Sequence, residues 1–279
     1  FKYIKSTNKK HNINKLFQSY NVPLIPILNN NKKIVEVISE DSLKEKKINK
    51  ENFVFILAGG EGKRLSPLTK DLPKPILKVG KLFIIELIFS FFRSSGFNNF
   101  VISINYKKTQ FKNFLRNLPN ISYQTIEEKR KLGTAGSLGF LKNVKKPFFI
   151  INGDIICNTN YENLMNFHIK NKAKLTIVTR KVEKKSQFGV IELKKNNLVK
   201  NITEKPTKYD FINTGIYVAD PIILKHIKKN IKLDMPDLIR LLIKKRLKVL
   251  SYEIYDYWRD IGTLENLNEV RSAISHMIK

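Results

Sequence analysis

The part of the sequence best suited to chemistry is a glycine-rich loop, Gly59-Gly60-Glu61-Gly62-Lys63-Arg64. It follows directly after Phe53–Leu57, a continuous apolar run that is typical of a strand buried on both faces. Three glycines in four positions let the backbone approach an anion closely and present N–H groups to it. Arg64 and the later Lys74 add positive charge. The loop therefore predicts an anion site at the carboxyl end of a buried strand, where α/β proteins bind ligands.

Spacing excludes two common phosphate-binding loops at this position. A Walker A loop, G-x-x-x-x-G-K-[ST], would need Gly at position 57 and Ser or Thr at position 64, where the chain has Leu57 and Arg64. The dinucleotide pattern G-x-G-x-x-G starting at Gly60 would need a glycine where Leu65 stands. A glycine-rich turn without a ligand stays open on the glycines alone.

The residues around the loop extend the pattern into a long signature. It is Leu57-Ala58-Gly59-Gly60-x-Gly62-x-Arg64-Leu65-x-Pro67-Leu68-Thr69-x-x-x-Pro73-Lys74-Pro75, which resembles that of the sugar-1-phosphate nucleotidyltransferases, mannose-1-phosphate guanylyltransferase-like. The resemblance covers roughly residues 52 to 279 and departs at Leu82 and Leu264, where the family often has Pro. Later segments agree with the family in order: Leu132–Leu138 with Glu127 upstream, Asn152-Gly153-Asp154, Phe188-Gly189-Val190, Glu204-Lys205-Pro206, Asn213–Tyr217 and Trp258–Thr263.

The resemblance implies an enzyme of nucleotide-sugar and polysaccharide biosynthesis. Such an enzyme transfers a nucleoside monophosphate from a nucleoside triphosphate to a sugar 1-phosphate and releases pyrophosphate. GTP with mannose- or hexosamine-1-phosphate is favoured. The reason is that residues 1–48 resemble part of a cystathionine-β-synthase-type (CBS) module, and short enzymes of this type that carry CBS modules resemble guanylyltransferases. Thymidylyl, uridylyl and cytidylyl transfer stay open, as does a homologue that keeps the fold for regulation without turnover.

The resemblance also assigns roles to individual residues. Mg²⁺ accepts a few carboxylates together with phosphate oxygens and water, so two separated aspartates suffice as protein ligands. Taken alone, each aspartate would more readily cap a strand-to-helix turn, and Glu204 with Lys205 would be an ordinary surface pair. By resemblance, catalysis falls to Arg64, Lys74, Asp154 and Asp260, the metal to Asp154 and Asp260, the nucleotide to Leu57, Ala58, Gly59, Gly60, Gly62, Glu127, Gly133 and Thr134, and the sugar phosphate to Gly189, Glu204, Lys205 and Asn213.

The charge of the chain offers a second class of function. The formal net charge is +28, which would attract nucleic acid or an anionic membrane. Only nine of the 52 basic residues are Arg, however, and they are spread along the chain without an aromatic cluster. Abundant Lys, Asn and Ile share A/T-rich codons, so a biased genome would produce this profile without selection for a partner. We expect no nucleic-acid partner, and a homo-oligomer stays among the alternatives.

The elements that must position these residues alternate between strand and helix. Strands are predicted at 53–57, 100–104, 121–126, 147–151, 175–180, 189–193, 198–203 and 211–218, the last four with helices after them. Helices are predicted at 82–94, 109–118, 134–141 and 264–278. This alternation predicts an α/β fold with a mostly parallel sheet flanked by helices. The resemblance implies that this fold is the Rossmann-like nucleotidyltransferase fold, with a mixed sheet. This domain is expected to span residues 49–279.

Residues 1–48 are predicted to form a small, separate α/β remnant. A helix at 12–20, a strand at 22–28, an Asn-rich turn and a strand at 33–38 resemble the end of a CBS module. Pro26-Ile27 and Glu36 depart from that pattern, and a generic hairpin is the alternative. A complete CBS pair would bind an adenine nucleotide.

The lack of long apolar stretches and the scarcity of cysteine indicate the cellular setting. No stretch approaches the roughly 18 apolar residues of a membrane span, so we expect no membrane partner. One cysteine, Cys157, predicts a reducing, cytoplasmic location and a small, partly buried side chain. His11, His168, His226 and His276 have no metal-ligand spacing and are predicted to be structural or surface residues.

Overall fold

The computed structural model describes residues 4–5, 24–29, 33–39 and 51–277. The chain divides into two compact units, Phe1–Ile48 and Asn49–Lys279. The helix predicted at 12–20 lies outside the described residues. No helix among the described residues is long and apolar enough to cross a membrane.

In the first unit, three strands form one small sheet. Strand β1 (Ile4–Lys5) runs parallel to β2 (Leu24–Leu28). Strand β2 pairs antiparallel with β3 (Ile34–Ser39), so the two strands predicted here form a hairpin.

The second unit contains the large sheet and three short strand pairs. Its strands are β4 (Phe53–Leu57), β5 (Lys78–Val79), β6 (Leu82–Phe83), β7 (Asn99–Ile104), β8 (Ser122–Glu127), β9 (Phe148–Asn152), β10 (Ile155–Cys157), β11 (Leu175–Lys185), β12 (Val190–Leu193), β13 (Val199–Thr203), β14 (Thr207–Ala219), β15 (Val249–Glu253) and β16 (Trp258–Asp260). The large sheet has seven strands in the order β15-β11-β14-β9-β4-β7-β8.

Most pairs in the large sheet are parallel, with one reversed strand. Strands β9, β4, β7 and β8 are mutually parallel, and β15 is parallel to β11. Strand β14 runs antiparallel to both of its neighbours, β9 and β11. The predicted mostly parallel mixed sheet is therefore confirmed.

The α-helices of this unit lie between or after the strands. They are α1 (Leu68–Asp71), α2 (Ile84–Ser94), α3 (Lys108–Arg116), α4 (Gly133–Gly136), α5 (Tyr161–Lys170), α6 (Met235–Lys244) and α7 (Leu264–Met277). The helix predicted at 134–141 is instead α4 followed by a 3-10 turn, Ser137–Phe140. The helix predicted from Leu82 begins at Ile84, because Leu82 and Phe83 pair with β5 and the Glu86 carboxylate accepts from the Phe83 N–H (2.8 Å).

The four strands predicted between residues 175 and 218 are present, and α6 follows them. Strand β11 extends to Lys185, and β12 and β13 form an antiparallel hairpin. The turn between them contains Asn196 and Asn197, both with left-handed φ values (63° and 61°). Asparagine tolerates that region, so the chain turns back there rather than entering a helix.

Helices cover both faces of the sheet and fix the strands that carry the site. Neighbouring residues of β9 point to opposite faces. Phe149 packs with Phe92 of α2, whose ring also stacks on Tyr161 of α5 (centroids 3.8 Å apart). Ile150 belongs to a cluster on the other face with Leu238 of α6. Each such buried side chain contributes about 1.5–3 kcal/mol, so the central strands are held rigidly.

Candidate active site

Two loops meet at the carboxyl ends of β4 and β9. Leu57 and Asn152 are register partners in the two parallel strands. The Gly153 N–H donates to the Leu57 carbonyl (2.8 Å), and a Cβ on Gly153 would lie 2.9 Å from that oxygen. Glycine at position 153 thus allows the glycine-rich loop and the Asn152-Gly153-Asp154 loop to touch.

The loops form the floor of a cleft of about 460 Å³. Its lining combines backbone, cationic and acidic groups from five segments of the chain. The lining residues are Leu57, Ala58, Gly59, Gly60, Glu61, Gly62, Lys63, Arg64, Lys74, Pro75, Glu128, Lys131, Leu132, Gly133, Thr134, Asn152, Gly153, Asp154 and Gly262.

The shape of the glycine-rich loop depends on its third glycine. Gly62 has a left-handed φ of 65°, and a Cβ there would lie 2.9 Å from Thr69 Cγ2. The Thr69 hydroxyl donates to the Gly62 carbonyl (2.9 Å) and so ties the loop to α1. A Cβ on Gly60 would meet nothing within 4 Å. The loop therefore keeps open space on the side that faces the cleft.

A cation and a carboxylate meet in the cleft. Lys74 Nζ lies 2.5 Å from Asp154 Oδ2, and the lysine is 8% exposed. Pro73 and Pro75 flank the lysine at the start of a 3-10 turn, and each fixes its own φ. A low-dielectric setting strengthens the electrostatic effect of this ammonium group on anything bound beside it.

A second carboxylate approaches Asp154 from β16. Asp260 is the register partner of Ile155, and the Ile261 N–H donates to the Asp154 carbonyl (2.9 Å). The indole N–H of Trp258 donates to the Thr214 carbonyl (2.9 Å), which anchors β16 on β14. Burial raises the pKa of the Asp260 carboxyl, and the negative charge of Asp154 raises it further.

The two aspartates fit a divalent cation. Asp260 Oδ1 is buried and has no hydrogen-bond partner among the described residues, which is costly for a carboxylate oxygen unless a cation binds it. Among the described residues no group of three or more His, Cys, Asp or Glu side chains has metal-site geometry. A metal here would therefore need oxygens from elsewhere, as Mg²⁺ does when it binds phosphates.

Arg64 reaches across to the segment after Asp260. A Cβ on Gly262 would lie 3.1 Å from both terminal guanidinium nitrogens of Arg64. Glycine at this position leaves room for the guanidinium group beside the cleft. Arg64, Lys74, Asp154 and Asp260, which the sequence predicted as one catalytic set, are thus brought together.

Comparison with known proteins identifies the family. The profile of the family described as "Nucleotidyl transferase" matches residues 53–276. The chain belongs to the nucleotidyl transferase family. The resemblance read from the sequence is confirmed at this level.

Curated relatives of the chain include guanyltransferases. The mannose-1-phosphate guanyltransferase of Pichia angusta is 32% identical over 219 residues, and that of Saccharomyces cerevisiae is 30% identical over 221. Each match covers 75% of this chain but 60% of the relative, so the chain matches less than two thirds of their length. The solved structure of HddC from Yersinia pseudotuberculosis complexed with GMP-PN has a TM-score of 0.62 at 23% identity, over 80% of this chain and 99% of that one. It shows the shared fold.

Within this nucleotidyl transferase, the predicted nucleotide-binding residues lie together with one exception. Leu57, Ala58, Gly59, Gly60, Gly62, Gly133 and Thr134 all line the cleft. Glu127 does not. It ends β8 and pairs with Lys108 (3.2 Å) and Lys112 of α3.

The acidic residue at this place in the cleft is the next one, Glu128. Successive side chains of a strand point to opposite sides, so Glu127 turns toward α3 while Glu128 turns inward. Glu128 is 7% exposed; its Oε1 accepts from the Ser103 hydroxyl (2.5 Å) and its Oε2 from the Leu132 N–H (3.2 Å). Because the two glutamates are adjacent in the sequence, no local signal indicates which of them enters the cleft.

The Gly133-Thr134 wall is held by a segment that the sequence did not single out. The Thr134 N–H donates to Asp234 Oδ1 (3.1 Å), and the Met235 N–H donates to the Thr134 hydroxyl (2.7 Å). The starts of α4 and α6 therefore cap each other. Gly133 has a φ of 75°, and a Cβ there would lie 2.5 Å from Asp234 Oδ1.

The four predicted sugar-phosphate residues lie outside the cleft lining. A Cβ on Gly189 would lie 2.8 Å from Glu204 Oε2, so these two residues are neighbours on the β12–β13 hairpin. Lys205 is exposed, with a left-handed φ of 44°. Asn213 donates to the Tyr217 hydroxyl (2.7 Å) and accepts from the Gly215 N–H (3.0 Å).

Cys157 and His168 are structural, as predicted. Cys157 is buried, and burial raises the pKa of its thiol to about 12. His168 is buried with its Nδ1 2.9 Å from the Thr176 hydroxyl, and burial lowers its pKa to about 4.

Proposed function

We propose that this chain transfers GMP from GTP to a sugar 1-phosphate, mannose- or hexosamine-1-phosphate, giving a GDP-sugar and pyrophosphate. The observation that carries the proposal is the convergence of Arg64, Lys74, Asp154 and Asp260 on the glycine-rich loop. The names of the guanyltransferase relatives support the choice of base and sugar.

The proposed reaction joins two anions. A phosphate oxygen of the sugar phosphate attacks the α-phosphorus of the triphosphate, and pyrophosphate leaves. No covalent enzyme intermediate is needed, so the protein contributes positioning and charge neutralisation. In this scheme Arg64 and Lys74 hold the triphosphate and stabilise the negative charge on the departing pyrophosphate. Lys205 contacts the sugar phosphate, Glu204 accepts hydrogen bonds from sugar hydroxyls, and Gly189 and Asn213 line the sugar pocket.

Asp154 and Asp260 would hold Mg²⁺. Asp260 Oδ1, which is buried and has no hydrogen-bond partner among the described residues, supports this assignment. When bound, the ion supplies positive charge to the phosphate oxygens. Lys74 would orient the Asp154 carboxylate toward the phosphates.

Glu128 supports the choice of guanine. A carboxylate accepts hydrogen bonds only, and the Watson–Crick edge of guanine presents two adjacent donors, N1–H and the N2 amino group. Thymine and uracil present one N–H between two acceptors, which a carboxylate does not match. Both oxygens of Glu128 keep acceptor capacity beyond their bonds to Ser103 and Leu132.

The direct test is a pyrophosphate-release assay. It crosses GTP, dTTP, UTP and CTP with mannose-, glucose- and hexosamine-1-phosphate, in Mg²⁺ and in chelator. We expect release with GTP and a mannose- or hexosamine-1-phosphate, and none in chelator. Absence of metal-dependent release from every combination would overturn the proposal.

For residues 1–48 we propose a partial CBS-like module attached to a transferase domain of residues 49–279. The division into Phe1–Ile48 and Asn49–Lys279 and the β1-β2-β3 pairing support it. The test is limited proteolysis of the whole chain: the first cleavage should fall between the two units, and the fragment of residues 49–279 should keep its unfolding temperature. Proteolysis that degrades both units at the same rate would contradict the division. A cytoplasmic location and a homo-oligomer stay predictions from the sequence.

A further inference from the structure

Three charged side chains at the cleft have no role in the proposed reaction so far. Glu61 Oε1 lies 2.5 Å from Lys131 Nζ, and Glu61 Oε2 lies 3.3 Å from Lys63 Nζ. All three residues line the cleft. One carboxylate thus holds two ammonium groups beside the predicted triphosphate site.

The two lysines come from different walls. Lys63 follows Gly62 at the start of a 3-10 turn, whereas Lys131 precedes the Leu132–Thr134 wall. The lysine side chains are 82% and 64% exposed, and that of Glu61 is 27% exposed. The carboxylate is therefore the sheltered partner, and the lysines can move. The Lys131 ammonium, followed by that of Lys63, lowers the pKa of Glu61, which keeps it ionised.

The net charge of the cleft determines what happens to the ion pairs of Glu61 when a triphosphate binds. The cleft lining has four basic residues, Lys63, Arg64, Lys74 and Lys131, and three acidic ones, Glu61, Glu128 and Asp154. The resulting +1 falls well short of a triphosphate, which carries about four negative charges at neutral pH. Lys74 is already paired with Asp154, and its side chain is only 10% exposed. Lys63 and Lys131, which Glu61 holds, are the exposed cations that can exchange this carboxylate for the phosphates.

We propose that Lys63 and Lys131 bind the β- and γ-phosphates of the incoming triphosphate, and that Glu61 holds both lysines in place until the phosphates displace it. This inference rests on the proposed function of the cleft. The exposed ion pairs of Glu61 are worth little each, so exchange toward a polyanion is easy. When pyrophosphate leaves, Glu61 competes again for the lysines and favours release.

The test measures binding by calorimetry, with the whole chain and three probes. The probes are guanosine 5′-(β,γ-imido)triphosphate, inorganic tripolyphosphate as a base-free polyanion, and GMP, which lacks β- and γ-phosphates. Lys63→Met and Lys131→Met should each weaken the imido analogue and tripolyphosphate about tenfold and leave GMP within about twofold. Glu61→Gln should tighten both polyanions about three- to tenfold, because the competing carboxylate is gone.

A matched pair elsewhere controls for net charge. Lys146 Nζ lies 2.5 Å from Glu51 Oε2, and both residues precede the amino ends of β9 and β4, away from the cleft. Lys146→Met and Glu51→Gln make the same charge changes and should leave all three affinities within about twofold. Thermal melts of all variants check folding.

Several results would overturn the inference. If Lys63→Met and Lys131→Met bind both polyanions as tightly as wild type does, the inference is overturned, although the proposed function stands. An equal loss of GMP binding would show a general effect on the cleft and not phosphate contact. Weaker polyanion binding in Glu61→Gln would show that the carboxylate only orders the loop. If wild type binds neither the imido analogue nor tripolyphosphate, the proposed function fails as well.

Discussion

Gly262 offers a change that should impair chemistry without impairing folding. A Cβ at this position would lie 3.1 Å from both terminal nitrogens of Arg64 and 3.2 Å from its Cζ, and Gly262 has no left-handed φ. Gly262→Ala therefore creates no backbone strain. It requires the end of a flexible side chain to shift by a few tenths of an ångström. The free energy of unfolding should change by less than about 1 kcal/mol.

The effect on catalysis should be larger. Misplacing a group by 1 Å can cost about a hundredfold in rate, so a shift of roughly half that size should cost about tenfold. In transition-state free energy this is about 1.4 kcal/mol. The assay is kcat/KM for pyrophosphate release with the best substrate pair, beside urea unfolding of the same samples.

A double-mutant cycle with Arg64→Ala tests the cause. Without the guanidinium group there is nothing to displace, so Gly262→Ala should slow the Arg64→Ala protein no further. If Gly262→Ala slows both backgrounds by the same factor, its effect does not pass through Arg64. If it slows neither, the guanidinium group is not a positioned catalytic element.

Three further predictions concern positions around this centre. Gly133→Ala should cost about 3 kcal/mol or more in urea titrations, because a left-handed backbone gains a Cβ 2.5 Å from the Asp234 carboxylate; a loss below about 1 kcal/mol would contradict the geometry. Lys74→Met should lower kcat for pyrophosphate release about a hundredfold or more, since the cation beside Asp154 is removed; unchanged kcat would contradict its role. Burial lowers the folded-state pKa of His168 from 6.5 to about 4, so the unfolded state binds the proton more readily and wild type should lose about 3 kcal/mol as pH falls from 6.5 to below 4; the His168→Leu protein should lack this component in urea titrations at both pH values, and equal pH slopes would count against it.

Two adjacent glutamates and one hairpin illustrate what local sequence leaves undecided. The run Glu127-Glu128 has no periodic or spacing signal that says which carboxylate enters the cleft. The answer follows from where β8 ends and from Lys108 and Lys112 on α3, which bind Glu127. Similarly, the strand patterns at 189–193 and 198–203 do not say how these two strands pair, and the asparagine turn at 196–197 makes them an antiparallel hairpin.

The sequence by itself determined the family, the buried strands and most of the cleft. In the glycine-rich loop and in Pro73-Lys74-Pro75, the glycine and proline residues themselves indicate the local backbone conformation. The apolar runs of β4 and β9 predict two buried strands with loops at their carboxyl ends. Tertiary structure decided what needs residues distant in the chain. It alone brings Asp260 beside Asp154, Gly262 beneath Arg64, Asp234 against Thr134, and Lys63 and Lys131 onto one carboxylate. These contacts depend on strand order and register, which no local pattern specifies.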